Sequence, residues 1–245
     1  MIQKIASLSQ SIQKLSQHQE INNTLPVLIH VLQKQSKDLY QIKIGNLITQ
    51  TKSQKELMIG AKYLATLQKN PTGTLILSHL WLYPKALESL QNAPLKFSID
   101  DLKELLKNPE KFHEEWKSFL VEKFAHAPSK QEFLLFGNML LSLQKNITSL
   151  VIDQDGKNHI LQIKKMPQQS LEFYALYPNL GAISGLVYKS QGGVGLNLNV
   201  PFANVKNLLE KHLDTLHFFA QKQITLTPNI PPLFSFEDNL LDLWS

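Results

Sequence analysis

The residues whose types and spacing could do chemistry are few, and each reads more simply as structure. His113-Glu114-Glu115 opens like a zinc-protease motif, in which two histidines on one helix face hold the metal and the glutamate acts as base. No second histidine follows at that spacing, so the triplet reads as a solvated helix face. His212 and His217 lie five apart, which does not bring two imidazoles to one helical face as a spacing of about four does. Gly192-Gly193-Val194-Gly195 would suit phosphate only if a helix began there, because the donors are the unpaired N–H groups of a helix start. An alternating strand pattern follows instead, so the run is a hairpin turn. The pairs Asp100/Asp101 and Glu114/Glu115 are chain neighbours, and neighbours on a helix diverge rather than share a proton. There is no Gly-x-Ser-x-Gly elbow. Cysteine is absent, which excludes disulfides, thiolate metal sites and a cysteine nucleophile. The expectation is a non-enzymatic protein with no cofactor and no metal.

Composition narrows the partners. The chain has 245 residues, 43% of them hydrophobic, and a formal charge of +5. All 25 cationic side chains are lysine; arginine does not occur. The rigid guanidinium fork is the usual tool for reading bases and gripping phosphates, and its absence weighs against a dedicated site of that kind. Lysine still attracts a nucleic-acid backbone as a point charge, so a nucleic-acid-binding module built on the Lys-rich N-terminal part is the alternative reading. No run of about 18 apolar residues suggests a membrane span, and the first ten residues lack the apolar core of a secretory signal. A cytoplasmic location is expected.

The elements follow from periodicity. Ile2, Ile5, Leu8, Ile12 and Leu15 mark a short amphipathic helix within a 1–23 segment. Over 24–95 the period changes to two: Val27–Leu32, Tyr40–Ile44, Leu47–Thr51, Ala61–Leu67 and Thr74–Trp81 predict five short strands, the number for a small barrel. Residues 96–146 are helical, with capping-box spacing at Ser98-x-x-Asp101 and Ser129-x-x-Glu132. The pattern predicts helices at 99–107, 110–125 and 130–145 that bridge the two β-containing parts. Strands return over 147–228, at 150–153, 159–163, 171–177, 182–189 and 194–200, then a helix over 202–220 and a last strand at Ile224–Leu226. An acidic, apolar tail occupies 229–245; the favoured reading is a C-terminal helix that folds back to cover a core, and the alternative is a partner-binding peptide. The fold class expected is α+β: a small N-terminal β-barrel, a helical middle, and a C-terminal α/β sandwich with a small mixed sheet and one long amphipathic helix.

Within 160–227, Leu176, Pro178, Leu180, Gly181, Ile183 and Val187, then Val194, Leu196, Leu198, Leu208, Leu209, Leu213 and Leu216 give an apolar strand ending in a Pro-x-Leu-Gly corner, two alternating strands, a leucine-rich helix and a final strand. In these positions the stretch resembles the C-terminal domain of the flagellar hook-length control protein family, which implies a cytoplasmic protein with export through the flagellar type III system as a further step. The chain departs from the family in having Leu216-His217 and Gln221-Lys222 at places where members carry Leu-Arg and a glycine. It also shows no long polar ruler region. The resemblance therefore implies docking in flagellar type III export and hook assembly, acting on substrate-specificity switching without measuring length. The implied partner is the switch protein of the export gate.

Partner contacts are expected at the corner Pro178, Asn179, Leu180 and Gly181, and on the polar face of the strand that follows, at Asn197 and Asn199. The tail supplies a second candidate surface through Phe236, Leu240, Leu243 and Trp244, since an apolar peptide of this kind can fold into a groove on docking.

Overall fold

A computed structural model describes residues 25–69, 75–83, 95–105, 107–154 and 156–236. The N-terminal helix, the turn at Asn70–Gly73 and the tail beyond Phe236 lie outside the described residues.

All five expected N-terminal strands form: β1 (Val27–Lys34), β2 (Leu39–Ile44), β3 (Leu47–Lys52), β4 (Lys62–Lys69) and β5 (Leu75–Leu82). They close into a barrel in the order β1-β2-β3-β5-β4. The β3–β5 pair is parallel and short, and the other pairs are antiparallel. Alternation decides the inside: Ile29 and Val31 of β1, Tyr40 and Ile42 of β2, and Tyr63 and Ala65 of β4 fill the barrel. Leu57, from the β3–β4 loop, is buried among them.

That loop is held to the barrel at close intervals. The Leu57 N–H donates to the Tyr40 hydroxyl at 3.3 Å and the Met58 N–H to the Tyr63 hydroxyl at 3.1 Å. The Gly60 N–H donates to the Val31 carbonyl at 2.8 Å. Lys34 reaches Glu56 at 2.8 Å, a bond that holds the exposed Glu56 carboxyl below its ordinary range and the Lys34 ammonium above its own.

The middle is helical as predicted: α1 (Ile99–Leu105), α2 (Pro109–Ala125) and α3 (Lys130–Gln144). Ser98 and Asp101 form the expected reciprocal cap, with Ser98 N–H to Asp101 at 2.8 Å and Asp101 N–H to Ser98 Oγ at 3.1 Å. Bonds from the Ser98 hydroxyl and then its N–H hold the Asp101 carboxyl below its usual range. Ser129 caps α3 through Glu132 N–H at 3.2 Å. Asn146 ends the helical run with φ +57°, the left-handed position asparagine tolerates. The helices do more than bridge: Phe112, Trp116, Leu120, Phe136 and Met139 join one core with the C-terminal sheet.

That sheet has six strands: β6 (Ile147–Gln154), β7 (Lys157–Met166), β8 (Ser170–Tyr177), β9 (Gly181–Ser190), β10 (Gly193–Val200) and β11 (Gln221–Leu226). The order is β11-β10-β9-β8-β7-β6. β6 to β10 form an antiparallel meander, and β11 returns parallel to β10. A parallel return needs a crossover, supplied by α4 (Ala203–Lys211) and a single 3₁₀ turn at Leu213–Thr215. The helix expected over 202–220 is therefore shorter than its apolar pattern. The Thr215 hydroxyl bonds back to the His212 carbonyl at 2.7 Å, and Lys222 Nζ covers the Leu213 carbonyl at 3.0 Å. The Ala220 N–H is already committed to Val194. Leu216 and Phe219 still reach the core, which is why the helical spacing of apolar residues continues past the helix.

Register assigns the two sheet faces. One carries Phe173, Ile183, Val187, Leu196, Leu198 and Ile224, buried throughout. The other carries Ile160, Gln162, Tyr174 and Leu176, and continues through Ser184, Asn197 and Asn199. Glycine at 185 is required by close approach: a Cβ there would lie 2.6 Å from the Phe173 ring and 2.9 Å from the Asn197 carbonyl oxygen. Gly185→Ala is expected to destabilise the fold by about 1–3 kcal/mol, read as a lowered thermal midpoint. Gly192→Ala, with nothing within 4 Å of the added carbon, should leave it nearly unchanged.

Candidate functional site

The barrel docks directly on the C-terminal sheet, and what docks it is a set of apolar residues on the barrel's outward phase. In β4, Tyr63, Ala65 and Leu67 point inward, while Leu64 points outward and is fully buried in the C-terminal core. Trp81 also points outward, from β5, and packs half-buried against the same core. It can because β5 contains a bulge: Thr66 pairs with Ser78 but Leu64 with Trp81, so His79 and Leu80 together face Ala65. The extra residue reverses the phase of the strand and turns the indole outward.

Above this contact lies an apolar groove of about 790 Å³. The barrel wall is Met58, Ala61, Lys62, Trp81, Leu82 and Tyr83. The floor is Ile160, Gln162, Tyr174 and Leu176 of the sheet. The third wall is Ile230, Pro231, Pro232, Phe234 and Phe236. The volume lies within the range of small-ligand and peptide-anchor sites, roughly 300–1,000 Å³. Its rim is greasy as well: Met58 is 55% exposed, Leu82 47% and the adjoining Ile59 64%. Exposed apolar residues held on tied backbone are the ordinary mark of a docking surface, and Met58 is tied through Tyr63.

The third wall is the described part of the 229–245 segment, which folds back over the core as the favoured reading expects, with Ile230 at 4% and Phe234 at 8% exposure, but without the expected helix over its described residues. Gln162, itself 1% exposed, explains this. Its Nε2 donates to the Phe234 carbonyl at 2.7 Å and its Oε1 accepts the Phe234 N–H at 3.1 Å. One side chain satisfies both backbone groups, as a neighbouring strand would. Lys145 caps the contact from outside, 5.2 Å over the Phe234 ring. Tyr174 completes the floor at 3% exposure, and burial pushes its phenol well above the usual tyrosine range, so it remains a neutral hydroxyl.

The sequence-predicted contact residues separate in space. Leu180 is fully buried, and Gly181 (φ +80°) sits where an added Cβ would lie 3.0 Å from Phe202, 3.3 Å from Pro201 and 3.6 Å from Leu64. The corner is thus a joint between barrel and sheet; Pro178 and Asn179 are half-buried beside it. Asn197 and Asn199 are half-buried on the wetter half of the face. Asn199 is engaged by Ser184 Oγ and Thr227 Oγ1, both at 3.3 Å. Phe236 lines the groove; Leu240, Leu243 and Trp244 lie outside the described residues. Met58, Trp81, Leu82, Gln162 and Tyr174 were not anticipated. Leu64 did leave a signal, as an apolar residue on the polar phase of its strand; Trp81 left none, because only the bulge moves it off the inward phase.

The nucleic-acid reading takes the whole Lys-rich domain at 25–81 as its platform, and β2 and β3 give that domain one outer face. Outward on β2 and β3 are Leu39, Gln41, Lys43, Ile48, Gln50 and Lys52. That face has two cations and no aromatic ring, whereas sequence-tolerant strand binding relies on bases stacking on aromatic side chains. Among the described residues no cluster of three or more His, Asp or Glu could hold a metal, and no helix is long and apolar enough to cross a membrane.

Fold and groove together define an α+β protein in which a five-stranded barrel is docked on a mixed six-stranded sheet. No family model, curated protein or solved structure matches the chain.

Gln162→Ala would leave two buried backbone groups of Phe234 without partners. The expected loss is about 2–4 kcal/mol, with new protease cleavage between 229 and 236 at a temperature where the barrel remains folded.

Proposed function

We propose that this chain is a non-enzymatic docking protein whose partner binds in the groove between barrel and sheet. The observation that carries the reading is the groove itself, an apolar space with Met58 and Leu82 exposed at its rim. The partner is a protein segment with apolar anchors, because aromatic and aliphatic walls with a few polar groups suit such anchors.

The biological setting is the bacterial flagellum, by resemblance to hook-length control proteins over 160–227. What supports it is the order of Pro178–Gly181 corner, two alternating strands, crossover helix and closing strand, the order expected of that family's α/β sandwich. On this reading the chain acts in the cytoplasm, with passage through the type III system as a further step. It contacts the switch protein of the export gate and alters which substrates are exported.

Met58→Asp and Leu82→Asp place charge on the rim while leaving the barrel core untouched. Each should reduce capture of the export-gate switch protein from flagellated cells at least about tenfold, as expected for loss of an interface anchor. Circular dichroism and thermal midpoint should stay near those of the parent. Unaltered hook length, filament export and motility after deletion of the gene would sink the flagellar setting. Unaltered capture by both variants would sink the groove.

A further inference from the structure

The barrel carries a second cleft, separate from the groove, at the seam between β3 and β5. Parallel pairing there extends only from Thr51↔Leu75 to Lys52↔Ile76. Beyond it β3 ends, the chain turns away through Ser53–Lys55, and a cleft of about 440 Å³ opens between that turn and Ile76–Leu80. Its charged lining is Lys52, Lys55 and Asp38, with His79 beside them. Among the described residues, neither lysine ammonium nor the His79 imidazole has a hydrogen-bond or ion-pair partner. The cleft thus holds two lysines against one aspartate, without the internal pairing that Lys34 finds in Glu56.

The backbone fixes where these groups stand. The Ser53 N–H donates to the Asp38 carbonyl at 2.9 Å and its hydroxyl to the Lys55 carbonyl at 2.7 Å, which locks the turn. His79 has φ +51°, in the left-handed region where glycine is the least strained residue. The bulge that turns Trp81 outward needs only that backbone shape, and glycine would supply it best. With histidine there, an imidazole joins the two lysines.

We infer that this cleft binds the phosphate groups of a small polyphosphate ligand. Lysine serves as a point-charge phosphate binder where arginine is not used, and imidazole adds a further donor. Ile76 and Leu80 offer an apolar side to the remainder of the ligand. The platform face lacks stacking aromatics, which favours a small ligand over a single strand. This inference does not depend on the docking groove.

The test is calorimetric titration of the full chain with inorganic tripolyphosphate at low salt. Saturable one-to-one binding is expected. Lys52→Gln and Lys55→Gln should each weaken it about tenfold or more, the scale of a hydrogen bond to a charged group, while Lys117→Gln on α2 should not. His79→Gly should weaken binding while holding or raising the thermal midpoint, a combination that a purely structural bulge residue would not give. A parallel titration with a single-stranded oligonucleotide assigns the source of the phosphate. Tighter binding there, with the same dependence on Lys52 and Lys55, would overturn the small-ligand assignment. No saturable binding, or equal loss in the Lys117→Gln control, would overturn the site.

Discussion

The pairing of one glutamine amide with one backbone is the constraint on which the groove depends. Gln162 lies in the middle of β7, on a sheet face that would otherwise meet water or the barrel directly. By donating to the carbonyl and accepting from the N–H of Phe234, it gives an extended segment the two bonds a strand partner would give. A buried backbone group left unpaired costs about 1–3 kcal/mol, so Ile230 and Phe234 could not pack here without that amide. Once they do, the segment becomes a wall, and the space between it and the barrel is a shaped groove.

The barrel's contribution depends on phase. A strand with strict alternation would show the sheet only polar residues. Leu64 breaks the alternation by composition, being apolar at an outward position. Trp81 is brought to the outward phase by the bulge at His79, at the cost of a left-handed backbone at a non-glycine residue. Both reach the C-terminal core, and Gly181 leaves room for the contact at the corner. The Pro178–Gly181 corner is therefore where the two halves meet, which explains the residue types of Leu180 and Gly181, while Pro178 and Asn179 stay half-buried beside it.

Much of the architecture was readable from period and punctuation. Strands with clean alternation, such as Tyr40–Ile44 and Val194–Val200, and helices with capping pairs at Ser98 and Ser129 lie where their patterns place them. Patterns that mix two causes misled. The apolar spacing over 202–220 is helical only to Lys211, because Leu216 and Phe219 serve the core from a turn. Strand order could not be read, since nothing local marks β3 as the neighbour of β5. The groove was least readable, because its walls come from three distant stretches and its key residue, Gln162, is one glutamine among many. The segment from Asn229 to Phe236 does fold back over the core, but its prolines at 231 and 232 keep it out of the helix that its apolar spacing suggested.

A barrel, a sheet and a clamped segment leave an apolar groove between them, and we propose that this groove is a docking site. The most direct measurement is photo-crosslinking in flagellated cells, with the photoreactive residue at Leu82 on the rim or at Lys117 on α2. The account predicts a discrete crosslink from position 82 to a component of the export gate and none from position 117. Equal crosslinking from both positions, or none from 82 in cells that are assembling hooks, would contradict it.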